Sequence, residues 1–280
     1  MAYINNNGNL ILAEEFNVKH TSRAFNFGDG VFETIRIKHG KIVRFEAHYE
    51  RLMKGAKAIK IKEHPEYTMD FFRDQIMALI ELNQVHAGGR CKLSIDRADG
   101  GTYSPVSNQA QFLIELWPIE MDDFRLNHKG LEIDIYKEMA LTKTPLSPFK
   151  TKNALFKVLA SIHAESMRVD DLLLQNQKGN LIESTNSNLF IVSNGIIYTP
   201  GMDEGCIAGT MRMHIINVAV THGIRVYECP ILPQNLLSAD EIFLTNAIQG
   251  VRWVGSYKTK AFRNETSKIL LEWLNEETRS

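Results

Sequence analysis

Asn194-Gly195 is the tightest local constraint on what this 280-residue chain can fold into. The pair lies between two apolar runs, NLFIVS and IIYTP, over residues 188–200. A two-residue Asn-Gly loop takes positive φ at both positions and matches the twist of antiparallel strands. The second half of the chain therefore contains a β-hairpin. Two other segments carry the same kind of signal. GVFETIRIKHGKIVRF (30–45) alternates on both sides of His39-Gly40, and DDLLLQNQKGNLIEST (170–185) turns at Lys178-Gly179.

Helical spacing of apolar residues interrupts these strands. Residues 46–61 carry Leu52, Met53, Ala56 and Ile59, and MDFFRDQIMALIEL (69–82) is a second amphipathic helix. RCKLSID and AQFLIELW follow as strands. Residues 117–125 hold a proline and several charges with no period, which marks an interdomain linker. The chain then divides into a small N-terminal domain over 1–116 and a larger domain over 126–280. The larger part predicts strands at 130–139, 224–231 and 241–247, with helices at 153–167, 209–223 and 265–277. Both halves mix elements without regular βαβ alternation, so the expected class is α+β.

The bulk properties exclude several partners. The net charge is −1 and no Lys/Arg block stands out, which gives nucleic acid nothing to bind. No apolar stretch approaches the roughly 20 residues that cross a bilayer. Cys91, Cys206 and Cys229 form no C-x-x-C pair, and the start MAYINNNGNL lacks the pattern of a signal peptide. A cytoplasmic protein is expected. No P-loop, H-E-x-x-H zinc motif or G-x-S-x-G elbow is present, and no metal is called for.

Five features could carry chemistry. Lys150 follows Pro145 and Pro148 and precedes a helix, which fixes an amine at a loop end; Lys152 is its near neighbour. A lysine that bonds a carbonyl carbon needs such fixed placement. Glu183 leaves a strand in ESTNSNLF, where a buried carboxylate could hold a ring nitrogen protonated. Gly209-Thr210-Met211-Arg212 opens a long helix whose first amides suit a phosphate. Thr245-Asn246-Ala247 ends a strand, and Arg51 in HYERL offers a bidentate cation. Each alone is more often a solvated charge or an ordinary cap.

In order and wording together these pieces resemble the class IV, fold-type IV pyridoxal-phosphate enzymes. That family includes branched-chain aminotransferases, D-amino-acid aminotransferases and aminodeoxychorismate lyases. The matches are FGDGVFETIR (27–36), HYERL (48–52), FKTKNAL (149–155), ESTNSNLF (183–190), GTMR (209–212) and ADEIFLTNA (239–247). The resemblance implies a two-domain fold, with a small N-terminal α/β sandwich and a larger β-barrel-like domain flanked by helices. It implies pyridoxal 5'-phosphate as cofactor, Lys150 as the Schiff-base lysine and Glu183 as partner of the ring nitrogen. Arg51, Gly209, Thr210, Met211, Thr245, Asn246 and Ala247 would hold the phosphate, and Asn153 would approach the 3'-oxygen. Phe32, Thr34 and Arg36 would face the substrate. A homodimer with shared active sites is implied as well.

The carboxylate grip is where the family's members differ. D-amino-acid aminotransferases carry R-x-x-x-x-R-x-H and lyases R-G-x-G-G-R-G-Y; here Arg97 and Gly100-Gly101 are present, but Thr102 fills the second arginine's slot. Thr34 stands where branched-chain enzymes usually have glycine. Arg36, Arg90 and Arg97 are the candidate carboxylate binders. The leading reading is an aminotransferase acting between a small, possibly branched-chain, amino acid and a 2-oxo acid. The alternative is a 4-amino-4-deoxychorismate lyase releasing pyruvate and 4-aminobenzoate; a D-amino-acid aminotransferase and a non-catalytic relative follow.

Overall fold

In the computed structural model, which describes residues 2–120 and 123–279, the chain divides into two units. One is Met1–Asp123 with Phe149–Asn153; the other is Phe124–Pro148 with Ala154–Ser280. Met121 and Asp122, inside the expected linker, lie outside the described residues.

The first unit is built from β1 (Tyr3–Asn6), β2 (Asn9–Leu12), α1 (Arg23–Phe27), β3 (Gly30–Lys38), β4 (Lys41–Ile42), α2 (Phe45–Ala58), α3 (Met69–Asn83), β5 (Gly88–Arg97) and β6 (Ala110–Pro118). Its strands form one antiparallel sheet in the order β2-β1-β6-β5-β3-β4. Period two divides β3 and β5 into two faces. Val31, Ile35 and Ile37, with Cys91, Leu93 and Ile95, join a core with α2 and α3. The other face carries Phe32, Thr34 and Arg36 opposite Ser94, Lys92 and Arg90. Thr68 caps α3 by accepting from Phe71 N at 3.1 Å. A 15-residue helix is marginal alone. Burial of Phe72, Ile76, Leu79 and Ile80, at about 1.5–3 kcal/mol each, decides in its favour.

The second unit comprises β7 (Leu131–Ile135), α4 (Leu155–Met167), β8 (Asp171–Gln175), β9 (Leu181–Ser184), β10 (Asn188–Ser193), β11 (Ile196–Thr199), α5 (Thr210–Thr221), β12 (Val226–Glu228), α6 (Pro233–Ser238), β13 (Glu241–Asn246), β14 (Gly250–Tyr257), β15 (Lys260–Ala261) and α7 (Glu265–Arg279). Six of these strands close a ring. The path β10-β13-β14-β7-β8-β9 returns to β10 through the pairing of Glu183 with Asn188. Leu189, Ile191, Ile242 and Leu244 share a core with Leu131, Ile133 and Val254. The alternate residues Phe190 and Phe243 stack at 4.9 Å beneath Met211, Ile215 and Val218 of α5 and Leu270 and Leu274 of α7. With both faces covered, β10 and β13 read as near-continuous apolar runs. The expected two-part α+β fold, a sandwich and a barrel with flanking helices, is what the chain adopts.

Candidate active site

Residues 149–153 lie against β3 as a short extra strand. Phe32 N donates to Lys150 O at 2.9 Å, Lys152 N donates to Gly30 O at 2.9 Å, and Val31 bridges Thr151. Residues opposite each other in such a pair share a face. Lys150 therefore shares the polar face with Phe32, and its Nζ is 4.7 Å from the Phe32 ring centroid. Lys152 falls on the same face opposite Gly30, but its Nζ is ion-paired at 2.6 Å to Asp96 Oδ2. Burial raises the Asp96 pKa, and Lys152 opposes the rise. A Cβ at Gly30 would stand 2.0 Å from Asp96 Oδ1, so a side chain there would push the Asp96 carboxylate aside. Thr34, Arg36 and Arg90 complete the face; Arg36 is buried, while Arg90 is exposed with its guanidinium 5.2 Å from the Trp117 centroid. Ser94, opposite Phe32, is buried and its hydroxyl has no hydrogen-bond partner.

Arg97 lies on the opposite face. It donates to Asp29 Oδ2 at 2.9 Å, to Lys60 O at 3.0 Å, to Ile59 O at 2.5 Å and to Asn108 Oδ1. Its guanidinium pins loops within its own unit. Arg51 also lies on the helical side of the sheet. Its Nε and Nη2 donate to Glu33 at 2.6 and 2.5 Å, and His48 Nδ1 donates to the same carboxylate at 2.7 Å. Burial works against charge on Glu33, but Arg51 and the His48 hydrogen bond outweigh it and hold the pKa down to about 2. Burial lowers the His48 pKa, Glu33 counters this, and the Arg51 and Lys150 charges add to the lowering. Asn153 is exposed, its backbone packed at Gly28. Glu33 and His48 were missed in the sequence, although the i, i+3 spacing of His48 and Arg51 set them on one helix face.

In the second unit three polar residues stand in one row. Glu183 pairs with Asn188, and Asn188 pairs with Thr245. The row continues the face on which Phe190 and Phe243 meet α5. Glu183 is buried; its Oε2 accepts from Ile207 N at 2.9 Å and its Oε1 from Lys157 Nζ at 2.9 Å. Asn188 Nδ2 donates to Ile207 O at 2.9 Å. The row thus grips the loop that enters α5. Gly209 is the N-cap of α5 and supplies no side-chain cap. A Cβ there would lie 1.9 Å from Asn188 Oδ1, so a side chain at 209 would displace the Asn188 amide. Thr210 and Met211 follow, both buried, in the first turn of α5. Asn246 Oδ1 accepts from Ile248 N and Gln249 N and shapes the turn that includes Ala247.

A phosphate-bearing pyridine ring makes specific demands on such residues. Thr245 Oγ1 is buried without a hydrogen-bond partner. A native protein rarely leaves such a group unsatisfied, and a missing ligand is one ordinary reason. With the helix start at Gly209 and the buried Glu183 carboxylate, the donor set matches that ligand's anion and its basic nitrogen. The residues fit the group.

The family "Amino-transferase class IV" matches residues 30–257. The chain belongs to the class IV aminotransferases. It is 30% identical over 240 residues to a putative branched-chain-amino-acid aminotransferase of Methanocaldococcus jannaschii, covering 85% of this chain and 82% of that protein. It is 27% identical over 231 residues to an aminodeoxychorismate lyase of Vibrio harveyi, covering 82% and 83%. Among solved structures, the branched-chain aminotransferase of Thermoproteus uzoniensis with norvaline superposes with a TM-score of 0.89 at 23% identity, over 98% of this chain and 93% of that one. The class IV aminotransferase therefore has the fold as well as the sequence of its relatives.

Proposed function

We propose that this class IV aminotransferase uses pyridoxal 5'-phosphate to move an amino group between a small, branched-chain amino acid and a 2-oxo acid, and that it works as a homodimer. The observation that carries the reading is Lys150 on the same sheet face as Phe32, Thr34 and Arg36, with the competing Lys152 tied to Asp96. When bound, pyridoxal phosphate supplies an aldehyde for the amino group and a ring that takes up the electron pair left by the α-proton.

The chain's own residues do the rest. Lys150 would hold the cofactor through its Nζ and would take and return the substrate's α-proton. Glu183 holds a proton at the ring nitrogen. The Thr210 and Met211 amides behind Gly209, with Thr245, Asn246 and Ala247, bind the phosphate, and Asn153 orients the 3'-oxygen; Arg51, which the resemblance places at the phosphate, holds Glu33 through Nε and Nη2. Phe32 and Thr34 shape the side-chain pocket. Arg36 and Arg90 receive the carboxylate; Arg97, whose donors are engaged on the other face, keeps a structural role.

Two observations support the wider setting. On α4, Leu155, Val158, Leu159 and Ile162 are 65%, 50%, 40% and 58% exposed, an apolar stripe suited to a second copy. The free thiols Cys91, Cys206 and Cys229 support a reducing, cytoplasmic environment. No helix among the described residues is long and apolar enough to cross a membrane.

The test is to load the purified protein with pyridoxal phosphate and offer L- and D-amino acids with 2-oxoglutarate, and aminodeoxychorismate separately. Branched-chain keto acids formed from the L-isomers support the proposal. Pyruvate and 4-aminobenzoate without transamination would assign the chain to the lyases, as the Vibrio relative allows.

A further inference from the structure

Lys157 has no part in the functions assigned above. It lies in the first turn of α4, where the helix dipole disfavours a cation. Its Nζ is nevertheless 2.9 Å from Glu183 Oε1, with side-chain exposures of 25% and 5%. The other oxygen of Glu183 accepts from Ile207 N at 2.9 Å. One carboxylate is thus held from two elements, α4 and the loop before α5.

Among the described residues of this unit, Lys157 is the cation that ion-pairs with Glu183. The strand neighbours of Glu183 are Leu174 on β8 and Asn188 on β10, and neither ionises. From the loop before α5, Cys206 faces it; burial pushes that thiol up to about 11, with Arg212 of α5 opposing and Glu183 adding to the rise. Arg212 itself donates to Glu228 and Pro200 O. A buried carboxylate without a counter-charge takes up a proton.

We propose that Lys157 is the positioning residue that keeps Glu183 ionised and aimed before any cofactor arrives. The inference rests on the role proposed for Glu183 at the ring nitrogen. A carboxylate held in place by an ion pair is ready to balance a positive charge there. An ionised carboxylate has about four lone-pair sites. Lys157 and Ile207 therefore leave room for a third donor, and Lys157 need not leave when the ring nitrogen binds.

The test compares the unfolding of the cofactor-free full chain in wild type, Lys157→Met, Lys157→Gln, Lys157→Arg and Lys157→Met/Glu183→Gln between pH 5 and 8. Removing Lys157 leaves a buried carboxylate without its ion-pair partner, and burial favours the neutral acid in the folded chain. The stability lost then grows as pH rises. The Tm gap between wild type and Lys157→Met should widen by about 3 °C or more across that range. Glu183→Gln should abolish the widening, and Lys157→Arg should restore the wild-type profile. Lys157→Gln keeps a hydrogen-bond donor without charge and should show the same pH trend if the methionine variant folds poorly. A Tm deficit constant with pH, and unaltered by Glu183→Gln, would overturn the role of Lys157. A parallel pyridoxal phosphate titration of wild type separates the two ideas: failure to bind would overturn the proposed function and this inference with it, whereas binding alongside a flat profile would overturn Lys157 alone.

Discussion

Lys152 and Asp96 form a 2.6 Å ion pair on the sheet face that also carries Lys150. Two lysines one residue apart on either side of Thr151 thus have different work. Lys150→Ala should abolish both turnover and the visible absorbance of lysine-bound pyridoxal phosphate. Lys152→Ala should retain that absorbance and instead lower stability, by about 1–3 kcal/mol, because Asp96 is left buried with its charge unmet. Urea unfolding with an absorbance spectrum of each variant distinguishes them. Absorbance lost in the Lys152 variant and kept in the Lys150 variant would reverse the assignment.

The Glu33–Arg51–His48 group makes an acid-sensitive contribution to folding. The Glu33 carboxyl is held down to about 2, against an ordinary value of 4.5. Its contribution is therefore fully present above pH 4.5 and is lost as pH falls towards 2, amounting to something on the order of 3 kcal/mol. Glu33→Gln should be less stable than wild type at pH 6, and the gap should close by about pH 2. Denaturant titrations across that window check it, and a gap independent of pH would show that the charge of Glu33 is not what matters.

Thr245 separates ligand binding from folding. Its Oγ1 is buried with no hydrogen-bond partner among the described residues. Thr245→Val removes an unsatisfied hydroxyl, so Tm without cofactor should hold or rise. The same change should weaken pyridoxal phosphate about tenfold or more, the loss of one charge-assisted hydrogen bond. Equilibrium titration beside a melting curve measures both. Unchanged affinity would remove Thr245 from the phosphate site.

The apolar stripe on α4 gives a test of assembly. Ile162 is 58% exposed within it. Ile162→Glu should convert a dimer to monomers in light scattering while leaving the monomer's Tm nearly unchanged, since surface substitutions usually shift stability by no more than about 0.5 kcal/mol. A wild-type protein already monomeric at micromolar concentration would refute the dimer.

Much of the fold could be read from local chemistry. The hairpins at His39-Gly40 and Asn194-Gly195 form with positive φ at both residues, as that turn requires. Asn7-Gly8 makes the same turn between β1 and β2, yet the surrounding asparagines hid the strands. β14 escaped for a different reason: Gly250, Arg252 and Gly255 break its alternation. Gly255 is needed because Gly130 passes so close that a Cβ would come within 2.9 Å of its Cα. Only the folded barrel shows that demand. At the site, sequence order brought Lys150, Glu183, Gly209 and Thr245 to attention but could not report which way a side chain points. Arg97 was grouped with Arg36 and Arg90 by type, whereas period two from Asp96 sets it on the core side. Lys157 carried no signal, because its partner Glu183 lies far along the chain and joins it only through tertiary packing.

The closure of the barrel has one more consequence. The step from β9 to β10 is a tight turn in which Ser184 N donates to Ser187 O at 2.7 Å. That turn fixes which residues of β10 look outward. Inserting one residue into it would turn Asn188 towards the barrel interior and Leu189 towards the outer face that meets α5, since side chains alternate strictly along a strand. The loop around Ile207 would lose its anchor, and apolar bulk would meet the entry to α5. Chain length between Glu183 and Asn188 is therefore a design parameter as strict as the identity of either residue, and grafting this segment between relatives should succeed only when its spacing is kept.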